Sequence, residues 1–341
     1  MRDGPQTRLT RPDTVGDVKS QTPELPASTE TTAYAATIDD APEILELARR
    51  VETQVTGETS YTLAEVSEPF TSESGRRDTA VITLRRDGVL VGYADISHDN
   101  AERFYADVTI DHQLPREVYD ALAAACLAWA ESTALSSTDG PVRVKGYADE
   151  RDEPVRAALN AAGFAEARGF YEMHLDLSGA APPTPVPDVV VRQVSTGDLG
   201  SDDVRLAHRL VTETFRDHYD FIERPFEKWV ERHRDNPASD FDSWWIAEVD
   251  GEPVGVRIDN ARFVESHNAA YVANLGTLRS ARGRGVARSL LAHSFESARA
   301  AGRDAVKLHV DSESPTGATR LYESVGMRVN HTVHEWEKHL R

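Results

Sequence analysis

The sequence predicts a mixed α/β protein made of two tandem units, each a mostly antiparallel sheet flanked by helices. Three observations predict it. The second half of the 341-residue chain reads as β-α-α-β-β-β-α-β-α-β. The first half repeats that order more faintly. A proline-rich stretch, Ser178-Gly-Ala-Ala-Pro-Pro-Thr-Pro-Val-Pro-Asp188, separates them and disfavours both helix and internal strand.

The second half, 189–341, gives the sharper pattern. Val189–Gln193 is a strand, Asp203–Arg216 a helix and Glu227–His233 a second helix. Trp244–Val249 and Val254–Asp259 are strands on either side of Asp250-Gly-Glu-Pro, a turn between apolar runs. Ala270–Leu278 follows as a strand. Val286–Ala300 is a helix with Val286, Leu290, Leu291, Phe295 and Ala298 on one face. Ala305–Val310 reads as a buried strand. Ala318, Leu321, Tyr322 and Val325 then repeat at helical spacing, and Arg328–Trp336 is a last strand.

In the first half, 35–177, strands Ala80–Arg85 and Val89–Ile96 bracket Asp87-Gly88. Phe104–Ile110 is a strand, Glu117–Leu135 a helix, Val142–Gly146 a strand and Pro154–Ala162 a helix. Glu166–Leu177 closes the half. Ala158-Leu-Asn-Ala-Ala-Gly-Phe164 matches Leu321-Tyr-Glu-Ser-Val-Gly-Met327, with glycines 326 − 163 = 163 positions apart. Residues 1–34 are polar, rich in Thr, Pro and Asp, and read as a disordered tail.

Composition narrows the function. A formal net charge of −19 repels nucleic-acid phosphates and favours cationic ligands. Cys126 is the single cysteine and sits in an alanine-rich helical run, so it reads as a core residue and excludes a disulfide within the chain or a cysteine metal cluster. The twelve histidines show no metal-ligand spacing, and His331 and His334 read as surface residues, so no metal is expected. Trp244 and Trp245 read as core. No apolar run reaches membrane-spanning length and no signal-peptide core is seen, which makes a cytoplasmic protein the expectation.

The segment Arg279-Ser-Ala-Arg-Gly-Arg-Gly-Val-Ala-Arg288 carries the chemistry. It lies between a strand and a helix. Helix N-termini offer unpaired N–H groups and a positive dipole end, and glycines let a ligand reach the backbone. Arg282, Arg284 and Arg288 add positive charge. The result suits a diphosphate. A dinucleotide fingerprint fails for want of a third glycine, and a P-loop fails because no Gly-Lys-Ser/Thr is present.

Arg282-Gly-Arg-Gly285-Val-Ala287 and Pro315-Thr-Gly-Ala-Thr-Arg-Leu-Tyr-Glu-Ser-Val-Gly-Met327 together resemble the GNAT superfamily of N-acetyltransferases, in which tandem versions of the fold are familiar. The resemblance implies acetyl-CoA as acyl donor. It implies that Arg282, Gly283, Arg284, Gly285, Val286, Ala287 and Arg288 hold the diphosphate, and that Leu275, Gly276 and Thr277 face the pantetheine in a gap between two splayed strands. Gly276 within a strand independently suggests a bulge or a close backbone approach. Ser314 stands where the family often has Asn. Tyr322 is the expected general acid, and Glu265 or His218 the expected base. The first half has no glycine between Gly92 and Gly140. Its loop is Asp111-His-Gln-Leu-Pro-Arg-Glu117, and Leu159 stands in Tyr322's place, so it is expected to brace the second half without running the chemistry. The expected partner is a small-molecule amine such as a metabolite or antibiotic, with no nucleic acid and no membrane, for a monomer or homodimer. The other reading is a non-catalytic acyl-CoA-binding regulatory protein.

Overall fold

A computed structural model describes residues 21–179, 183–314 and 316–341. The first half contains β1 (Thr31–Ala35), α1 (Ala41–Thr56), α2 (Leu63–Thr71), α3 (Glu73–Asp78), β2 (Thr79–Arg86), β3 (Val89–His98), β4 (Arg103–Ile110), α4 (Arg116–Ser137), β5 (Arg143–Asp149), α5 (Glu153–Ala161) and β6 (Ala165–Asp176). The second contains β7 (Val189–Gln193), α6 (Asp202–Phe215), α7 (Phe226–Asp235), β8 (Ser239–Val249), β9 (Glu252–Asn260), α8 (Val264–His267), β10 (Ala269–Thr277), α9 (Val286–Ala300), β11 (Ala305–Asp311), α10 (Ala318–Ser324) and β12 (Arg328–His339). The protein is thus mixed α/β, with helices flanking a mostly antiparallel sheet.

Local chemistry accounts for many of these elements. Both Asp-Gly turns have positive φ at each residue, 50° and 81° at Asp87-Gly88 and 55° and 79° at Asp250-Gly251, the twist a tight hairpin requires. In α9, Val286 and Leu290 pack on β8 and β9, while Leu291, Phe295 and Ala298 pack with β6, β10 and β11. Ser201 caps α6, accepting from the Val204 N–H at 3.4 Å. Val204, Ala207 and Leu210 of α6 cover Trp244, Ile246, Val256 and Ile258.

Three sequence expectations change. Thr31–Ala35 is a strand paired with β2, within the segment read as a disordered tail; residues 1–20 lie outside the described residues. Its signal is weak because it is a five-residue edge strand with only alternate residues half-buried. Helix α1 went unassigned although Ile44, Leu47, Ala48 and Val51 recur at helical spacing and are buried. Of the proline-rich stretch, residues 180–182 lie outside the described residues. Val186 does not hang free: its N–H donates to Ser289 Oγ at 3.0 Å.

Among the described residues the strands form one sheet of twelve in the order β1-β2-β3-β4-β5-β12-β6-β11-β10-β9-β8-β7. The halves therefore exchange their last strands. β6 closes the first half in sequence but pairs with β11, and β12 closes the second but pairs with β5. β12 and β6 also pair with each other at the centre. Two pairs are parallel, β4 with β5 and β10 with β11. One face of the sheet carries α4 and α9, the other α1 and α6. Among the described residues, no helix is long and apolar enough to cross a membrane.

Candidate active site

Strands β10 and β11 pair from Ala269–Ala305 to Val272–Leu308 and no further. Beyond that point β10 stays with β9, and β11 stays with β6. A register shift between Val272 and Asn274 marks where β10 turns away, so the bulge lies at Ala273 and not at Gly276. The two strands form a fork with an open end.

Leu275, Gly276 and Thr277 line one prong. Leu275 packs toward α9. Gly276 faces α6, and a methyl group there would overlap Oγ1 and Cβ of Thr214. The close approach that the glycine signals is therefore made by a helix. Thr277 Oγ1 is buried with no hydrogen-bond partner among the described residues. At the tip of the other prong, the Ser314 N–H donates to the Asp311 carbonyl at 3.0 Å, and its hydroxyl lies 3.0 Å from that of Thr316.

The glycine-arginine loop closes the open end. Gly283 and Gly285 both have φ of +78°. Among the described residues, no carbonyl accepts from the N–H groups of Gly283, Gly285, Val286, Ala287 or Arg288. Arg282 and Arg284 are exposed and Arg288 is half-buried. The two glycines differ in their surroundings. A methyl on Gly283 would meet open space, whereas one on Gly285 would overlap Val186, so the linker explains that glycine.

Tyr322 of α10 is 7% exposed and packs among Leu291, Leu308 and Val310. Burial, and then the neighbouring Tyr271, push its hydroxyl up to about 12, so it holds its proton at neutral pH.

His218 follows α6 and packs its ring against Phe215 at 4.4 Å. Burial lowers its pKa; Asp311 opposes the shift and Arg282 adds to it. The next residues anchor this segment to the first half. Asp220 receives Lys145 at 2.5 Å, Arg143 at 2.6 Å and Arg103 at 2.8 Å. Burial would raise its pKa, but these cations prevail and hold it well below the carboxylate range.

Glu265 is not brought to this site. It lies on α8, before the paired end of β10, while Leu275–Thr277 are at the far end. At about 3.3 Å per residue the separation is roughly 20 Å. Its carboxylate is 69% exposed and lies 3.5 Å from Arg49 of α1.

The α1/α6 face holds a cavity of about 610 Å³ that the sequence did not reveal. Lys307 and His309 of β11, Glu172 of β6, His331 of β12 and Tyr271 of β10 line one side. Glu52, Glu58, Asp107 and Asp149 make the rest predominantly acidic. The available signal was the alternation in β11, where Val306, Leu308 and Val310 point to the core and Lys307 and His309 to the other face. His331 is 14% exposed and His334 20%, so both are half-buried where surface residues were expected; β12 lies inside the sheet. Nitrogen and oxygen atoms of Glu172, His309 and His331 lie within 4.8 Å of one another, a metal-like grouping that sequence spacing could not show. Lys307 Nζ stands 3.1 Å from Glu172 and supplies the counter-charge there.

The first-half fork differs. β4 leaves β5 after Tyr105–Lys145. Leu159 is 4% exposed and abuts Gly146. Asp111 accepts from the Gln113 N–H and from Arg50, so its own loop engages the carboxylate.

Comparison with known proteins agrees with this geometry. Residues 206–327 match the family model of the acetyltransferase (GNAT) family. Over 206 residues the chain is 29% identical to mycothiol acetyltransferase of Acidothermus cellulolyticus, an alignment spanning 57% of this chain and 61% of the relative. A GCN5-related N-acetyltransferase from Sphaerobacter thermophilus shares the fold with a TM-score of 0.75 at 23% identity, over 93% of this chain and 98% of that one. A tandem GNAT protein from the clavulanic acid biosynthesis pathway gives 0.68 at 14% identity, over 91% and 98%. Residues 206–327 thus resemble the acetyltransferase (GNAT) family, within a fold the chain shares with a tandem GNAT protein.

Proposed function

We propose that this chain is an N-acetyltransferase that uses acetyl-CoA and transfers its acetyl group directly to the primary amine of a small cationic molecule, such as an amine metabolite or antibiotic. The observation that carries this reading is the fork between β10 and β11, which opens toward a loop whose backbone N–H groups have no carbonyl partner among the described residues. The fit to the donor rests on two features: the open space at Gly283 and the unpartnered hydroxyl of Thr277.

The amides of Gly283 and of Gly285 through Arg288 would hold the diphosphate, with Arg282, Arg284 and Arg288 adding charge-assisted bonds. The backbone of Leu275–Thr277, with no strand on its β11 side, would hold the pantetheine. Acetyl-CoA, when bound, supplies the activated acetyl group. Tyr322, protonated and buried beside the fork, donates a proton to the departing sulfur. The single cysteine, Cys126, is fully buried in the other half, and burial pushes its thiol up to about 12, which favours direct transfer over an acyl-cysteine. Leu159 packed against Gly146 and the self-engaged loop of the first half support a bracing role for it. The acidic cavity and net charge of −19 support a cationic acceptor. The absence of a long apolar helix among the described residues is compatible with a cytoplasmic protein.

The test is thiol release from acetyl-CoA against a panel of amines, with calorimetry for donor binding. Tyr322→Phe should keep the donor Kd and lower kcat by about 10²–10⁴-fold. Donor binding without turnover on any amine would favour a non-catalytic acyl-CoA-binding regulator. That reading draws on Ser314 and on the helix side chain filling the space over Gly276. No binding of any CoA compound would refute both.

A further inference from the structure

Leu308 is the last β11 residue paired with β10, so His309 is the first residue of the open fork. Its side chain emerges on the face opposite Tyr322 and lines the cavity. Tyr271 Oη lies 3.0 Å from His309 Nδ1, and Glu172 Oε2 lies 3.9 Å from Nε2. The fork therefore has a phenol on one face and an imidazole, held at one nitrogen and backed by a carboxylate, on the other.

We propose that His309 is the group that takes the acceptor's proton, with Tyr271 positioning its ring and Glu172 stabilising the imidazolium. This rests on the acetyltransferase reading and replaces both bases suggested by the sequence. In that role Nδ1–H donates to Tyr271 Oη, and the Nε2 lone pair is left to accept a proton. The acceptor arrives as the free amine. As its nitrogen forms the C–N bond and the C–S bond breaks, Nε2 takes the N–H proton and Tyr322 gives its proton to sulfur. The His309 proton then returns to the Tyr322 oxygen through solvent, so both residues end as they began.

The groups facing His309 come from several elements: Arg262 from the segment before α8, Tyr271 from β10, Glu172 from β6, His331 from β12 and Lys307 from its own strand. Glu58 reaches Lys307 from the loop after α1. Burial first, and then Arg262, hold the imidazole down to about 4, with Glu172 opposing, so the ring is neutral and able to accept a proton at physiological pH.

Two measurements decide the matter. Steady-state kinetics should show His309→Gln lowering kcat by about 10²-fold or more, with donor Kd by calorimetry unchanged. The acid limb of the kcat–pH profile should vanish. His218→Gln should leave that limb in place, and Tyr271→Phe should shift its midpoint. Separately, NMR of ring-labelled histidine in the wild-type protein should show the His309 resonance displaced by each amine that is a substrate. A His309→Gln protein that folds by circular dichroism and keeps wild-type kcat and pH profile overturns the proposal and leaves the acetyltransferase reading standing. A His309 resonance unmoved by a turned-over amine overturns it as well. A wild-type protein inactive on every amine refutes the enzyme reading, and this inference with it.

Discussion

At the scale of single residues, burial sets protonation. His233 of α7 sits 4.4 Å from the Trp229 ring and 4.9 Å from Trp244. Burial, and then Arg232 and Arg224, lower its pKa to about 4. An unfolded histidine titrates near ~6.5. The unfolded chain therefore binds a proton first as pH falls, and stability present above ~6.5 is lost down to about pH 4, by up to about 3 kcal/mol for this one group. His293 and His309 are held near the same value and add to the slope. Urea denaturation of His233→Phe should show a shallower fall in midpoint between pH 7 and pH 4 than the wild type. Equal slopes would mean that this ring is hydrated in the folded state. Residue-level roles were partly legible. Trp244, 1% exposed, is core as its apolar strand suggested, while Trp245 is half-buried over His293 at 4.1 Å. The cluster of His309, Glu172 and His331 was not legible, because strand order alone assembles it from three distant segments.

At the scale of elements, the two glycines of one loop answer to different neighbours. Both hold a left-handed φ that a side chain resists by ~1–2 kcal/mol. Gly283→Ala adds a methyl facing open space, so it should cost about that much stability and act mainly on donor affinity. Gly285→Ala also strikes Val186, pulling the linker from Ser289, and should cost about 1–3 kcal/mol more. Thermal melts paired with calorimetry separate the two. A Gly283→Ala protein that binds acetyl-CoA as tightly as wild type would remove the loop from the donor site. The loop, both Asp-Gly turns and the buried face of α9 were readable because each rests on signals within a few residues. Contact of Val186 with the loop was not, since that pairing depends on how a proline-rich segment returns to the fold. Glu265 shows the same limit. A loop that looks near a cleft in chain order stands at the opposite end of the strand.

At the scale of the whole molecule, the exchange of last strands governs cooperativity. β12 fills the place between β5 and β6 at the centre of the sheet. It carries Glu335, which takes Lys145 at 2.8 Å, and Lys338, which reaches Glu131 at 2.7 Å. Ending the chain before Arg328 would leave β5 and β6, one from each half, each bare along one edge at the centre of the sheet. Such a protein should lose the folded signal of both halves together in circular dichroism and in limited proteolysis. A protease-resistant first half surviving that truncation would show that the halves fold apart. The repeat was legible from element order and from the matched glycines. The exchange was not, because a sequence records which strands exist and says little about which neighbour each one chooses.

Each half thus holds the other's closing piece hostage. A gene fragment encoding 189–341 alone would specify a unit whose β11 lacks its neighbour β6 and whose β12 lacks β5. The first half is then indispensable on mechanical grounds, and deletion cannot discard it whatever chemistry it retains.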